Sequence, residues 1–170
     1  KEFEKLFKKE KFHKTEINDI AIDFDIPILI PDNYINISIE RMKIYKELSE
    51  IKTDYNLNLY KKNLIDRFGS FPKELNNLFE VIKLKWKVSK LGINKIILRK
   101  NICTAFFINK IDSFFENQEF SLLLNFLKRN SKKIQLIEKK INHEKRLLLK
   151  IEQIKKIKDL NNLFNELEIF

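Results

Sequence analysis

Apolar residues along this chain follow two rhythms, an alternation of period two in some stretches and a spacing of three to four in others. Where one gives way to the other, an element ends. The first clear alternation is "INDIAIDFDIPILIP", beginning at Ile17, in which Ile20, Ile22, Phe24 and Ile26 share one side. It predicts a strand with one buried face, and Pro27 and Pro31 mark that strand as an edge or close it. "ISIERMKIYKELSEI" then takes helical spacing, with Ile44, Tyr45, Leu48 and Ile51 on a stripe and Ser38 as the expected N-cap. A second helix is predicted from about Thr53 to Phe68 through Leu57, Tyr60, Leu64 and Phe68. Gly69 is expected to end it in the left-handed conformation.

Pro72 fits the first turn of a third helix, where its missing N–H is not needed. That helix carries Leu75, Leu78, Phe79, Ile82 and Trp86 on one face and stops near Gly92. Beyond it the rhythm shortens. "NKIILRK" and "ICTAFFI" read as two strands of a hairpin turning at Lys100 and Asn101. "EFSLLLNFLKRN" reads as a helix, and "KKIQLIEK" with "EKRLLLKIE" as a second hairpin across "KINH". A C-terminal helix follows through Ile154, Ile157, Leu160, Leu163, Phe164 and Leu167. The expected fold is α+β, a helical first half packed on short antiparallel strand pairs with a closing helix. Residues 1–16 are charged with little to anchor them and are expected to be a linker, leaving 17–170 as one domain without internal repeats.

Composition changes this picture in two respects. The 170 residues carry a net charge of +10, which invites a nucleic-acid reading. Residues 83–100 contain Lys83, Lys85, Lys87, Lys90, Lys95, Arg99 and Lys100 with no acid among them, and Lys83, Lys87 and Lys90 are expected to share one helix face. A second basic stretch, Lys128 to Lys158, is diluted by Glu138, Glu144, Glu152 and Asp159. With abundant Lys, Asn, Ile and Phe and two glycines, however, the chain has the stamp of an AT-rich genome, and lysine on solvated faces follows from that alone. No apolar run approaches the roughly 20 residues of a membrane helix. A single Cys103 excludes an internal disulfide and points to a reducing, cytosolic setting.

Catalytic and cofactor chemistry finds no pattern here. Glycines only at 69 and 92 exclude a phosphate-cradling glycine loop. His143-Glu144 lacks the second histidine of a zinc helix, since position 147 is Leu, and neither His13 nor His143 has a nucleophile partner. Cys103 reads as a small buried strand residue. Trp86 continues an apolar stripe and reads as core or a half-buried lid rather than a base-stacking platform. No cofactor or metal is expected.

One charged group stands out, in "NLIDRFGSFP". At 100° per residue Leu57, Tyr60, Leu64 and Phe68 gather on one side of the second helix, while Asn63, Asp66 and Arg67 gather on the other. An Arg flanked by an Asp at a fixed helix end suits a directional contact with another protein surface. The plainer alternative is that Asp66 pairs with a neighbour and Arg67 complements the helix dipole.

Taken in order, the segments from "IPILIPDNYINISIERMKIYKELSEIKT" to "LIDRFGSFPKELNNLFEVIKLKWKVSKLGINKI" resemble the C-terminal domain of the bacterial transcription-repair coupling factor family. The matching positions are Pro31, Tyr34, Ile35, Arg41, Tyr45, Lys46, Asp66, Arg67, Phe68, Gly69, Pro72, Leu91, Gly92 and Ile93. The resemblance covers about residues 18–168. It implies a non-catalytic regulatory domain of an ATP-driven DNA translocase that acts on stalled RNA polymerase and recruits UvrA. Such a domain docks on the N-terminal UvrA-binding module of the same polypeptide, masking that module and restraining the motor. By this resemblance Asp66 and Arg67 carry the contact, while Phe68, Gly69 and Pro72 shape the turn. Asn63 stands where the family usually has Glu, which implies a weaker clamp. The rival expectation is a basic accessory domain that holds DNA near the motor through Lys83, Lys87 and Lys90.

Overall fold

A computed structural model of the chain describes residues 20–108, 118–141 and 144–167. The expected linker at 1–16, with His13, lies outside the described residues, as does His143. The elements run β1 (Ala21–Phe24), α1 (Ser38–Glu50), α2 (Asp54–Phe68), α3 (Lys73–Lys90), β2 (Ile93–Arg99), β3 (Ile102–Phe107), α4 (Gln118–Arg129), β4 (Ile134–Ile141), β5 (Glu144–Ile151) and α5 (Ile157–Asn165).

The α+β class holds, with the strands joined into one sheet rather than standing as separate pairs. Its order is β1-β2-β3-β5-β4. The two hairpins β2–β3 and β4–β5 meet through the antiparallel pairing of β3 with β5, and β1 adds to β2 in parallel. Lys100 and Asn101 make the first hairpin's turn with φ of 51° and 63°, the left-handed pair a two-residue turn requires. β1 is an edge strand, as Pro27 and Pro31 foretell, and among the described residues of the alternating run four, Ala21–Phe24, join the sheet.

Two hydrophobic cores lie on either side of α3. The sheet core takes Val81, Leu84 and Val88 from α3 with Ile96, Leu98, Ala105, Leu149 and Ile151, and α4 and α5 add Leu123, Phe126, Leu160 and Phe164. The helical core takes Leu75, Leu78, Phe79 and Ile82 from α3 with Ile44 and Leu48 of α1 and Leu57 and Leu64 of α2. The single stripe predicted for α3 is therefore half of what it buries. A helix between two layers needs apolar residues on two sides, and each fully buried Leu or Phe contributes about 1.5–3 kcal/mol. Trp86 is half-buried against the helical core, its Nε1–H donating to Ile51 O at 2.9 Å.

Several helix ends differ from expectation. Ser38 is the first residue of α1, and Ile37 occupies the cap position without a side-chain bond. Thr53 does cap α2, its hydroxyl accepting from Asn56 N at 3.2 Å. Pro72 stands one position before the first turn of α3, as its N-cap. Gly69 has positive φ, but its φ/ψ of 80°/−161° is an extended conformation open to glycine, not the left-handed helical one. The closing helix begins at Ile157. Ile154 precedes it, buried, with its N–H on Asn101 O at 2.9 Å.

Candidate functional site

Helices α1 and α2 form an antiparallel pair joined by three residues, and two side-chain contacts set their register. Glu40 in the first turn of α1 meets Arg67 in the last turn of α2, and Tyr60 Oη donates to Glu47 Oε2 at 2.6 Å. These contacts bring Asn63 level with the Lys43–Ile44 turn of α1. Asn63, Asp66 and Arg67 are all exposed, on the side away from Leu57 and Leu64. The guanidinium of Arg67 also lies over the Phe68 ring, 4.7 Å from its centroid. Arg67 thus does more than complement its own helix dipole, being held by a carboxylate on one side and a ring on the other.

Beside this helix end the loop 32–37, Glu40, Arg67 and Phe68 line an open groove of about 650 Å³. The loop is fixed by residues that periodicity does not single out. Arg41, buried on the inner side of α1, donates from Nη1 to Ile35 O at 2.6 Å, while its Nη2 meets Asp32 at 3.0 Å. Tyr45 Oη accepts from Ile30 N at 2.6 Å, and burial raises the pKa of that phenol. Tyr34 packs on Phe68 with ring centroids 6.1 Å apart and donates to Gly69 O at 3.1 Å. The one signal in sequence was an arginine on the apolar side of a helix, a position that demands a buried acceptor. Phe68 ends α2 and Gly69 follows it at positive φ, and Phe71, just before Pro72, packs edge-on against Phe79 of α3, centroids 5.0 Å apart.

The predicted basic face of α3 is not brought together. Lys83 pairs with Asp54 at 2.8 Å at the start of α2. Lys87 turns the other way and donates to Asn161 O on α5 at 3.0 Å, and burial lowers its pKa. Lys90 alone of the three is exposed. Asn161, itself buried, donates from Nδ2 to both the main-chain carbonyl and the carboxylate of Glu80, each at 2.8 Å. Lys83 and Lys87 therefore tie α3 to its two neighbouring helices.

Cys103 is buried in the sheet core, where burial pushes its thiol pKa up to about 12. Among the described residues no cluster of His, Cys, Asp and Glu is placed to hold a metal ion. No described helix is long and apolar enough to cross a membrane.

Comparison with known proteins agrees with this architecture. The family model for the TRCF domain matches residues 24–117. The transcription-repair-coupling factor of Rickettsia bellii (strain RML369-C) is 32% identical over 91 residues, which is 54% of this chain and 8% of that protein. That of Escherichia coli (strain K12) is 35% identical over 75 residues, 44% of this chain and 6% of that protein. The matched stretches thus span less than a tenth of the length of these relatives. A crystal structure of the C-terminal domain of transcription-repair coupling factor shares the fold, with a TM-score of 0.62 at 20% identity over 88% of this chain and 89% of that one. By sequence and by fold, this chain belongs to the transcription-repair coupling factor family and is a C-terminal domain of its kind.

Proposed function

We propose that the chain is a non-catalytic regulatory domain of a DNA translocase for transcription-coupled repair, and that it docks on the N-terminal UvrA-binding module of the same polypeptide. Docking masks that module and restrains the motor. RNA polymerase, UvrA and DNA are then contacted through other domains, in the cytoplasm.

The observation that carries this reading is the pose of Arg67. A guanidinium held over Phe68 by Glu40, at the exposed rim of a groove and next to exposed Asp66, is pre-oriented for a carboxylate on a facing surface. Pre-orientation lowers the ordering cost of binding. The domain acts as a weight on a closed–open equilibrium and shifts it by its differential contact energy alone. Truncating one partner of a buried charged pair at such an interface costs roughly 2–5 kcal/mol, enough to move a closed population largely to open. Asn63 presents an amide where the family usually has a carboxylate, so the clamp has one ionic contact fewer.

Calorimetric titration of the chain with its N-terminal module tests this. Saturable binding that Arg67→Ala and Asp66→Ala each weaken at least tenfold is the expected result. Absence of binding, or binding indifferent to both substitutions, overturns it. The rival DNA reading through Lys83, Lys87 and Lys90 has less support, because Lys83 and Lys87 are engaged within the domain.

A further inference from the structure

Along the chain the second basic stretch is diluted by Glu138, Glu144, Glu152 and Asp159, but folding separates these acids from the lysines. Glu138 and Glu144 lie toward the far end of the β4–β5 ribbon, where Ile141 faces Glu144 and Glu138 meets Lys145 at 3.0 Å. The lysines before β4 and after β5 gather at the other end. There Ile134 opens β4, Ile151 closes β5, and the tight turn at Lys100 and Asn101 joins β2 to β3. Two main-chain bonds fix these three connections beside one another. Glu152 N donates to Lys133 O and Ile154 N to Asn101 O, each at 2.9 Å, and Gln153 between them has a positive φ of 63°.

Lys100, Lys132, Lys133, Lys155 and Lys156 are all exposed at this end of the sheet. Among the described residues none of their ammonium groups meets a carboxylate. The nearby acids are turned to donors within the domain. Glu152 holds Lys150 at 2.8 Å, Asp25 accepts from Lys100 N at 2.8 Å, and Asp159 accepts from Lys156 N at 2.9 Å. The one apolar residue in the three connections, Ile154, is buried, so they present lysine, amide and hydroxyl groups to solvent. Like charges held close together without partners raise the local potential and attract a polyanion.

We propose that this end of the sheet binds duplex nucleic acid by its phosphates, through Lys100, Lys132, Lys133, Lys155 and Lys156. Composition decides between classes of macromolecule. Lysine is depleted from protein–protein interfaces, whose centres rest on aromatic and apolar anchors that these connections lack. Interfaces with nucleic acid are polar and strongly positive, and lysine, serine, asparagine and glutamine are among their phosphate contacts. No aromatic residue stands in the three connections to stack an unpaired base, which favours a duplex over a single strand. From β2 across β3 and β5 to β4 the end spans roughly 14 Å, at about 4.8 Å per strand. That is the length of about four base-pair steps of a duplex, enough for four or five phosphate contacts. Such contacts hold a duplex without reading its sequence. None of these residues belongs to α1 or α2, so the site does not rest on the docking reading. It adds a contact within this domain to those proposed for other domains.

The test is fluorescence anisotropy of the whole 170-residue chain with labelled DNA and RNA duplexes of two helical turns, about 20 base pairs each. The two run in parallel identify which duplex is held more tightly. Four or five phosphate contacts predict an affinity falling roughly 150- to 500-fold between 50 and 200 mM salt. Lys132→Gln with Lys133→Gln, and Lys155→Gln with Lys156→Gln, should each lower the salt slope by about two and weaken binding about tenfold or more. Lys139→Gln with Lys140→Gln, exposed near the far end of β4, removes the same charge. That pair lies roughly 20 Å away, beyond a Debye length, and should leave binding within about twofold. Three results would overturn the proposal: no duplex binding at 50 mM salt, equal losses from all three pairs of substitutions, or tighter binding to polyglutamate or to a single strand of the same sequence. Thermal unfolding reports whether each variant folds. If one pair at the basic end does not, the other decides.

Discussion

Arg67 and Glu40, twenty-seven residues apart, close an ion pair between the last turn of α2 and the first turn of α1. Both side chains are partly solvated, so the pair contributes at most about 1 kcal/mol to folding. Its larger effect is on where the guanidinium points. Glu40 holds Arg67 in place and also competes for it, since a carboxylate on a docking partner must share or replace it.

Glu40→Gln should therefore separate these effects. Stability measured by urea denaturation should change by less than about 1 kcal/mol. Affinity for the N-terminal module should rise if Glu40 is chiefly a competitor and fall if it is chiefly a positioner. An unchanged affinity, with Arg67→Ala equally silent, would mean that Arg67 takes no part in docking.

Arg41 presents the opposite balance. Its guanidinium is buried and bonded to Ile35 O, while its ionic partner Asp32 is 86% exposed. Arg41→Met should cost about 1.5–3 kcal/mol, the range for a charge-assisted hydrogen bond with a carbonyl left behind. Asp32→Asn should cost less than about 1 kcal/mol. Denaturation midpoints of the two variants check the order, and equal losses would show that the carbonyl contact is not what matters.

Gly69→Ala places a methyl group where nothing lies within 4 Å, so any cost comes from the backbone alone. The conformation at φ 80°, ψ −161° is almost closed to residues with a Cβ. A loss of about 1–3 kcal/mol is expected, together with weaker docking, because the turn it shapes follows Arg67 directly. Full stability in the alanine variant would show that the turn can rearrange.

The Cys103 thiol gives a pH signature. Its folded pKa, about 12, lies above the unfolded value of 9.0, so the folded state keeps a proton that the unfolded chain releases. Stability from this group is complete below pH 9 and declines above it, by at most about 1.4 kcal/mol per pH unit. Tyr60, whose pKa is also raised by burial and by its bond to Glu47, adds a decline that starts about one unit higher. Cys103→Ala should flatten the first part of the alkaline limb in denaturation experiments between pH 8 and 10. In the native protein the thiol should resist aromatic disulfide reagents until the sheet opens.

Much of the framework was legible in the chain because it rests on local rules. The alternation in "ICTAFFI" and the helical spacing from Leu57 to Phe68 express which side of each element must leave water, and that depends on neighbours a few residues away. The exposed side of α2, with Asn63, Asp66 and Arg67, followed from the same geometry. So did the half-buried Trp86 and the buried Cys103.

What the chain alone did not decide was which element meets which. Periodicity assigns a face to α3 but cannot show that two layers claim it, and so Lys83 and Lys87, neighbours on a helical wheel, end on different partners. Ser38, Gly69 and Ile154 were misplaced by one residue, one conformation and about one turn respectively, because helix ends answer to the loops packed on them. The Glu40–Arg67 pair, the Lys87–Asn161 bond and the Asn161–Glu80 bonds all join residues distant in sequence. Their positions depend on strand order and helix register, which are set by the packing of the whole domain and not by any one segment's own preference.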